Sequence, residues 1–160
     1  MAVLLLLKRL LFRTSAPRWP FYVRKLLSQP EQVLYHRLIR ALPEHIVLAQ
    51  VQVSRVLGVK KGFNFHEWNN RINRLSYDFV VCGKDSTVIA AIELDDKTHE
   101  RAARARTDDK KDKATAAAGL RLVRWSVRAL PSEEAIRSEL LVPGLPGGRK
   151  EPTLKSVDAA

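Results

Sequence analysis

Two acids stand close together at the end of an apolar run: Val88–Asp95 reads VIAAIELD. In an extended chain successive side chains alternate between faces. Val88, Ala90, Ile92 and Leu94 therefore share one face, and Ile89, Ala91, Glu93 and Asp95 the other. A third acid, Asp78, opens the apolar stretch Asp78–Gly83, and Gly83–Ser86 supplies turn residues between the two runs. A hairpin closed at that turn pairs residues whose numbers sum to about 169–171, which brings Asp78 opposite the Glu93 region. Three carboxylates converging on one point repel one another unless a cation joins them. Oxygen-rich clusters of this kind suit Mg²⁺ or Mn²⁺. Such an ion activates water and stabilises charge at a phosphate. A structural reading stands beside this one: Asp78 as a strand-end or turn residue, with Arg121 or Arg124 pairing Glu93 and Asp95 from a following strand.

The surroundings of these acids are basic. The chain has 160 residues, 28 Lys+Arg against 17 Asp+Glu and a net charge of +11. No acid precedes Glu31, while Glu93, Asp95, Asp96, Glu100, Asp108, Asp109 and Asp112 crowd one short stretch. An excess of positive charge calls for an anionic partner, nucleic acid or a membrane surface. An acidic knot inside a basic frame is what a metal held beside a polyanion requires, although charge runs are more often a solvated face. Cys82 is the single cysteine, which excludes an internal disulfide and any Cys-based zinc site. A reducing, cytoplasmic setting fits that usage.

The elements that must position the acids can be read in order. Ser28, Pro30 and Glu31 open a helix with a capping box, and Val33, Leu34, Leu38, Ile39 and Leu42 recur at helical spacing before Pro43. Ile46–Val53 alternates and is β-branched, a strand with Val47, Ala49, Val51 and Val53 on one face. Lys60–Arg74 is polar, basic and aromatic, and reads as a loop or irregular arm. Glu100–Ala118 is helical with Gly119 at its C-cap, Leu120–Ser126 is a strand, and Ser132–Leu141 is a last helix. The expected fold is α/β, an αβββαβ core with a mixed four-stranded sheet flanked by helices, the last two strands parallel. Residues 1–24 form a basic, leucine-rich leader, 25–142 the domain, and 143–160 a disordered tail rich in Pro, Gly and charge. The apolar run Val3–Leu7 is far short of the ~20 residues a spanning helix needs. Its charges follow the leucines, which is wrong for a signal peptide. An amphipathic helix on a membrane surface or on the domain remains open, as does a misassigned start codon.

Asp78-Phe-Val-Val, Ile92-Glu-Leu-Asp-Asp with Thr98-His99, Asp108–Asp112 and Gly119-Leu-Arg-Leu-Val-Arg124 resemble the DUF2726 family. That family is similar to the PD-(D/E)XK nuclease superfamily, especially the branch of the very-short-patch repair endonuclease. The resemblance runs from about Lys25 to Ser126, and Leu26-Leu-Ser28, Glu31 and Tyr35 fit its front. It implies a restriction-endonuclease-like core and a role for each residue. Asp78 resembles the first metal-binding aspartate and Glu93 the acid of the (D/E)xK pair. Asp95 stands where most of the superfamily has its lysine, a departure that removes the usual lysine. His99 lies where the repair-endonuclease branch carries a histidine. Glu31 resembles an accessory acid, but its spacing from Ser28 reads first as the acid of a capping box. Asp108 and Lys111, one helical turn apart, offer a lysine from the helix.

Taken together, the expectation is a metal-dependent DNA endonuclease-like protein. Asp78, Glu93 and Asp95 hold Mg²⁺ or Mn²⁺, with His99, Lys111 and Glu31 assisting. Lys60, Lys61, Trp68, Arg71, Arg74, Arg101 and Arg104 meet DNA by phosphate pairing and stacking. The alternative is a catalytically inactive module of the same fold that binds nucleic acid or a protein partner; the missing strand lysine favours it. A third expectation is contact of the leader with a membrane surface. His36, His45 and His66 sit alone, and Cys82 reads as a small buried hydrophobe.

Overall fold

The structure is a computed structural model. It describes the backbone of residues 19–95 and 102–141 and the side chains of 19–95 and 109–141. The leader up to residue 18, the tail from 142, His99 and Arg101 lie outside the described residues, as does the side chain of Arg104.

The elements run α1 (Gln29–Ala41), β1 (Ile46–Gln52), α2 (Val53–Val56), α3 (Phe65–Ile72), β2 (Ser76–Cys82), β3 (Val88–Asp95), α4 (Ala102–Ala117), β4 (Arg121–Ser126) and α5 (Glu133–Leu140). The four strands form one mixed sheet in the order β1-β2-β3-β4, with the first two pairs antiparallel and β3–β4 parallel. A parallel neighbour requires a crossover, and α4 supplies it. Helices cover both faces. α1 and α5 bury Leu34, Leu38, Ile136 and Leu140 against Phe79, Val81, Ala90 and Ile92. The opposite layer joins Val53, Leu57, Ile72, Tyr77, Val80 and Ala91, with Ala114 of α4 packed on it.

Local chemistry explains where the elements begin and end. The Ser28 amide donates to Glu31 Oε2 at 2.5 Å, closing the capping box of α1. Ser132 Oγ accepts from the Ala135 amide at 3.2 Å and starts α5. Gly119 ends α4 at φ 69°, a left-handed conformation that costs glycine nothing. The β2–β3 turn is tied by Gly83 N to Thr87 O at 2.9 Å and by Asp85 Oδ1, which accepts from the Thr87 amide. The pairing that follows, Phe79 with Ile92 and Val80 with Ala91, obeys the expected sum and leaves Asp78 beside Glu93.

Two expectations are corrected. Lys60–Arg74 is not all loop, because α3 lies within it: Asn64 caps the helix by accepting from the Glu67 amide at 3.2 Å. An Asn followed three residues later by Glu is the signature of such a start. The strand expected to Val53 ends at Gln52, and its alternation breaks midway. Val47 and Ala49 pack in the α1/α5 layer, whereas Val51 and Val53 join the other. Gln50, at φ 53°, turns the strand over between them. The same inversion occurs across the pair, since Tyr77 and Phe79 belong to opposite layers with Asp78 between.

Candidate active site

The inversion at Gln50 and Asp78 sets up the site. The β1–β2 register runs through Ala49↔Phe79 and resumes at Val51↔Tyr77, skipping Gln50 and Asp78. On its other side the β2–β3 register stops at Phe79↔Ile92, so the Leu94 amide has no ladder partner on β2. Asp78 fills that gap with its side chain, Oδ2 accepting from Leu94 N at 2.7 Å. Burial pushes the Asp78 carboxyl above its ordinary range; the Leu94 hydrogen bond and Lys111 oppose this, and the charges of Glu31 and Asp95 add to it.

Among the described acids Glu93 is the most deeply held. It is 7% exposed, and Lys111 of α4, also 7% exposed, places Nζ 2.5 Å from its Oε2. Lys111 Nζ also donates to Ser76 O at 3.2 Å. The second Glu93 oxygen, Oε1, is buried without a hydrogen-bond partner among the described residues. Burial raises the Glu93 pKa to about 7, even against the pull of Lys111; the Asp78 charge adds to the rise. A buried carboxylate with a lysine and a spare oxygen is costly as structure alone.

The helix that delivers Lys111 is keyed to the sheet by a second contact. Thr115 Oγ1 donates to Lys111 O at 2.6 Å, so the Tyr77 hydroxyl, 2.6 Å away, donates to Thr115. Both residues are fully buried. This chain fixes α4 relative to β2, one residue from Asp78.

Asp95 lies on the same strand but is drawn elsewhere. Arg124 of β4 bonds Asp95 Oδ1 at 3.0 Å and Asp112 Oδ1 at 2.5 Å, bracing β3, β4 and α4. Burial works against the Arg124 charge, but Asp112 and Asp95 offset it and raise its pKa. Arg124 is thus the partner anticipated for Asp95. No set of three His, Cys, Asp or Glu side chains closes into a metal cage among the described residues.

Glu31 reaches the same end of the sheet from α1. Its Oε1 accepts from Gln50 Nε2 at 2.7 Å, while Oε2 serves the capping box. The capping role expected for Glu31 is the one observed, with the second oxygen taken by Gln50. Gln50 and Tyr77 were not anticipated as site residues. The polar glutamine within a β-branched strand was the available signal for Gln50, but residue type does not reveal its positive φ.

The nucleic-acid candidates take part in none of the hydrogen bonds to Asp78, Glu93 or Asp95 among the described residues. Lys60, Lys61 and Arg74 are exposed. Arg71 stacks over Trp68, its guanidinium 4.2 Å from the ring centroid, and bonds Glu67 at 2.7 Å. Both are on α3, which packs beside α4. Of the helix candidates, Arg104 belongs to α4 by its backbone alone.

The fold and site define an α/β protein with an open mixed sheet, whose strand ends carry two buried or half-buried acids and a helix lysine. A family model described as protein of unknown function (DUF2726) matches residues 23–142, three-quarters of the chain. The chain belongs to the DUF2726 family. No curated protein and no solved structure matches it.

Proposed function

We propose that this protein is a metal-dependent nuclease-like hydrolase of the PD-(D/E)XK type, acting on the phosphodiester backbone of DNA as in the repair-endonuclease branch. One observation carries the reading: Asp78 and Glu93 sit together at the sheet end, with Lys111 on one oxygen of Glu93 and the other buried without a partner among the described residues. The residues fit Mg²⁺ or Mn²⁺ as a two-carboxylate site. Mg²⁺ is usually held by one or two carboxylates, with waters and substrate phosphates completing its octahedron. A bound ion supplies charge neutralisation at the phosphate and a more acidic water.

The protein's own groups do the rest. Asp78 and Glu93 would hold the ion, and the Leu94 amide fixes the Asp78 carboxylate. Lys111, paired with Glu93, would offer its ammonium to the phosphate or the attacking water, the part the strand position occupied by Asp95 cannot play. Arg124 holds Asp95, and that acid would support water around an ion bound by Asp78 and Glu93. His99 and Glu31 stand as assisting groups. Exposed lysines and arginines neutralise the backbone.

A second reading has its own observation. Lys111 already neutralises Glu93 and Arg124 already neutralises Asp95, as expected of an inactive module that binds nucleic acid or protein. Incubating the protein with plasmid, linear and branched DNA and Mg²⁺ or Mn²⁺ separates the two. Metal-dependent nicking abolished by Asp78→Ala, Glu93→Ala and Lys111→Ala supports the hydrolase. Cleavage that survives Asp78→Ala and Glu93→Ala sinks it, and binding without cleavage favours the inactive module.

A further inference from the structure

Ahead of α1, residues 19–26 read WPFYVRKL, and no acid precedes Glu31. This segment forms neither helix nor strand. Trp19, Phe21, Tyr22, Val23 and Leu26 are all exposed, Tyr22 at 85% and Val23 at 98%. The rings of Trp19 and Phe21 lie 5.8 Å apart, tilted by 32°. Arg24 and Lys25 take part in none of the ion pairs among the described residues. The segment is anchored at its inner end, where Gln32 Nε2 donates to Leu27 O at 2.9 Å and Leu27 packs on the core.

Arg24, Lys25, Leu26, Ser28, Glu31 and Gln50 line an open cleft of about 610 Å³. Its lining includes the Glu31–Gln50 pair, and Gln50 sits opposite Asp78 at the break in the β1–β2 register. The cleft therefore leads from an aromatic, cationic arm toward the carboxylate site. Free cations call for phosphates, and exposed rings call for flat apolar partners. A single-stranded polynucleotide satisfies both, because its bases are open to stacking, whereas a duplex hides their faces. An anionic bilayer would also satisfy cations and rings, but a cleft with Ser28, Glu31 and Gln50 on its walls accepts a strand rather than a flat surface.

We propose that the arm from Trp19 to Lys25 and the adjoining cleft bind single-stranded nucleic acid and lead it to Asp78 and Glu93. This names the substrate form for the nuclease reading and rests on it only for the strand's destination. The test is binding by fluorescence anisotropy of the full chain, in EDTA, to labelled oligothymidylate and to a blunt hairpin duplex, with anionic phosphatidylserine vesicles as a third probe. Wild type is expected to prefer the single strand. Arg24→Ala/Lys25→Ala and Trp19→Ala/Phe21→Ala are each expected to weaken it ~10-fold or more. The first pair should also flatten the log affinity against log salt slope by about 1.4, or 0.7 per lost phosphate contact. Because these side chains are exposed, circular dichroism should be unchanged. Single-strand affinity unchanged in both variants, equal affinity for the duplex, or arm-dependent binding to vesicles without oligonucleotide binding would each overturn the proposal. Cleavage is read separately. DNA cleavage with arm-independent binding refutes the arm and spares the nuclease, whereas arm-dependent binding without cleavage does the reverse.

Discussion

At the Glu93–Lys111 pair the proposed chemistry and the stability of the fold meet. With both side chains 9% exposed, removing one partner leaves the other charge buried. Lys111→Met should lower stability by ~3 kcal/mol in urea unfolding. Glu93→Leu added to it should recover most of that loss, since a buried pair is often replaceable by apolar groups. A double variant no better than the single would show that the pair is not coupled. The pH dependence has a definite sign. The folded Glu93 pKa of about 7 lies above the ordinary 4.5. Between those values the folded protein binds more protons than the unfolded chain, so the contribution of Glu93 is complete below the lower value and is lost as pH rises through the upper. Metal-free protein should therefore lose stability from about pH 5 to 8, and Glu93→Gln should flatten that decline; a rising profile would contradict it. Asp78, also raised, adds in the same direction. The neighbourhood of Asp78 and Glu93 was readable, because a hairpin closed at Gly83–Ser86 permits few registers. Lys111 was readable only through the family resemblance, which implies a lysine offered from the helix. Gln50 was not, because a glutamine at positive φ is imposed by the surrounding sheet rather than by its own preference.

Elements succeed or fail at their ends. α4 must stop at Gly119 for Thr115 and Lys111 to meet β2, and a side chain at Gly119 would meet no atom within 4 Å. The cost of Gly119→Ala is thus backbone strain alone, about 1 kcal/mol. Gly58, equally open but not at positive φ, is the control: Gly58→Ala should change stability by less than ~0.5 kcal/mol in the same thermal unfolding experiment. Equal effects at both positions would remove the strain explanation. The starts of α1 and α5 were legible in Ser28 and Ser132. α3 was obscured by its exposed aromatic and basic residues, which buried only Ile72 and so gave little apolar periodicity.

Across the whole molecule, a net charge of +11 conceals one buried ion pair and a partly exposed cluster of others. Lys111 and Arg124 are spent on Glu93, Asp95 and Asp112, leaving the uncompensated cations to the periphery. The nucleic-acid binding proposed above should then weaken steeply with salt and depend little on sequence, the log–log slope counting phosphates at about 0.7–0.9 each. Titrating a labelled oligonucleotide at several salt concentrations checks this; salt-independent binding would contradict it. The layered α/β plan was legible because the order of elements leaves few ways to cover a sheet. The covering of each strand residue was not, because alternation inverts at Gln50 and Asp78. No helix among the described residues is long and apolar enough to cross a membrane.

Gln50 has one more effect, on how copies of the protein meet. β1 stands at an edge of the sheet, where a row of free amides and carbonyls invites another chain to add a strand. Its left-handed residue turns the peptide plane midway along Ile46–Gln52, so a stranger could align with only half of the edge at a time. The distortion that opens a gap for Asp78 on the inside also spoils the outside as a template for fibrils.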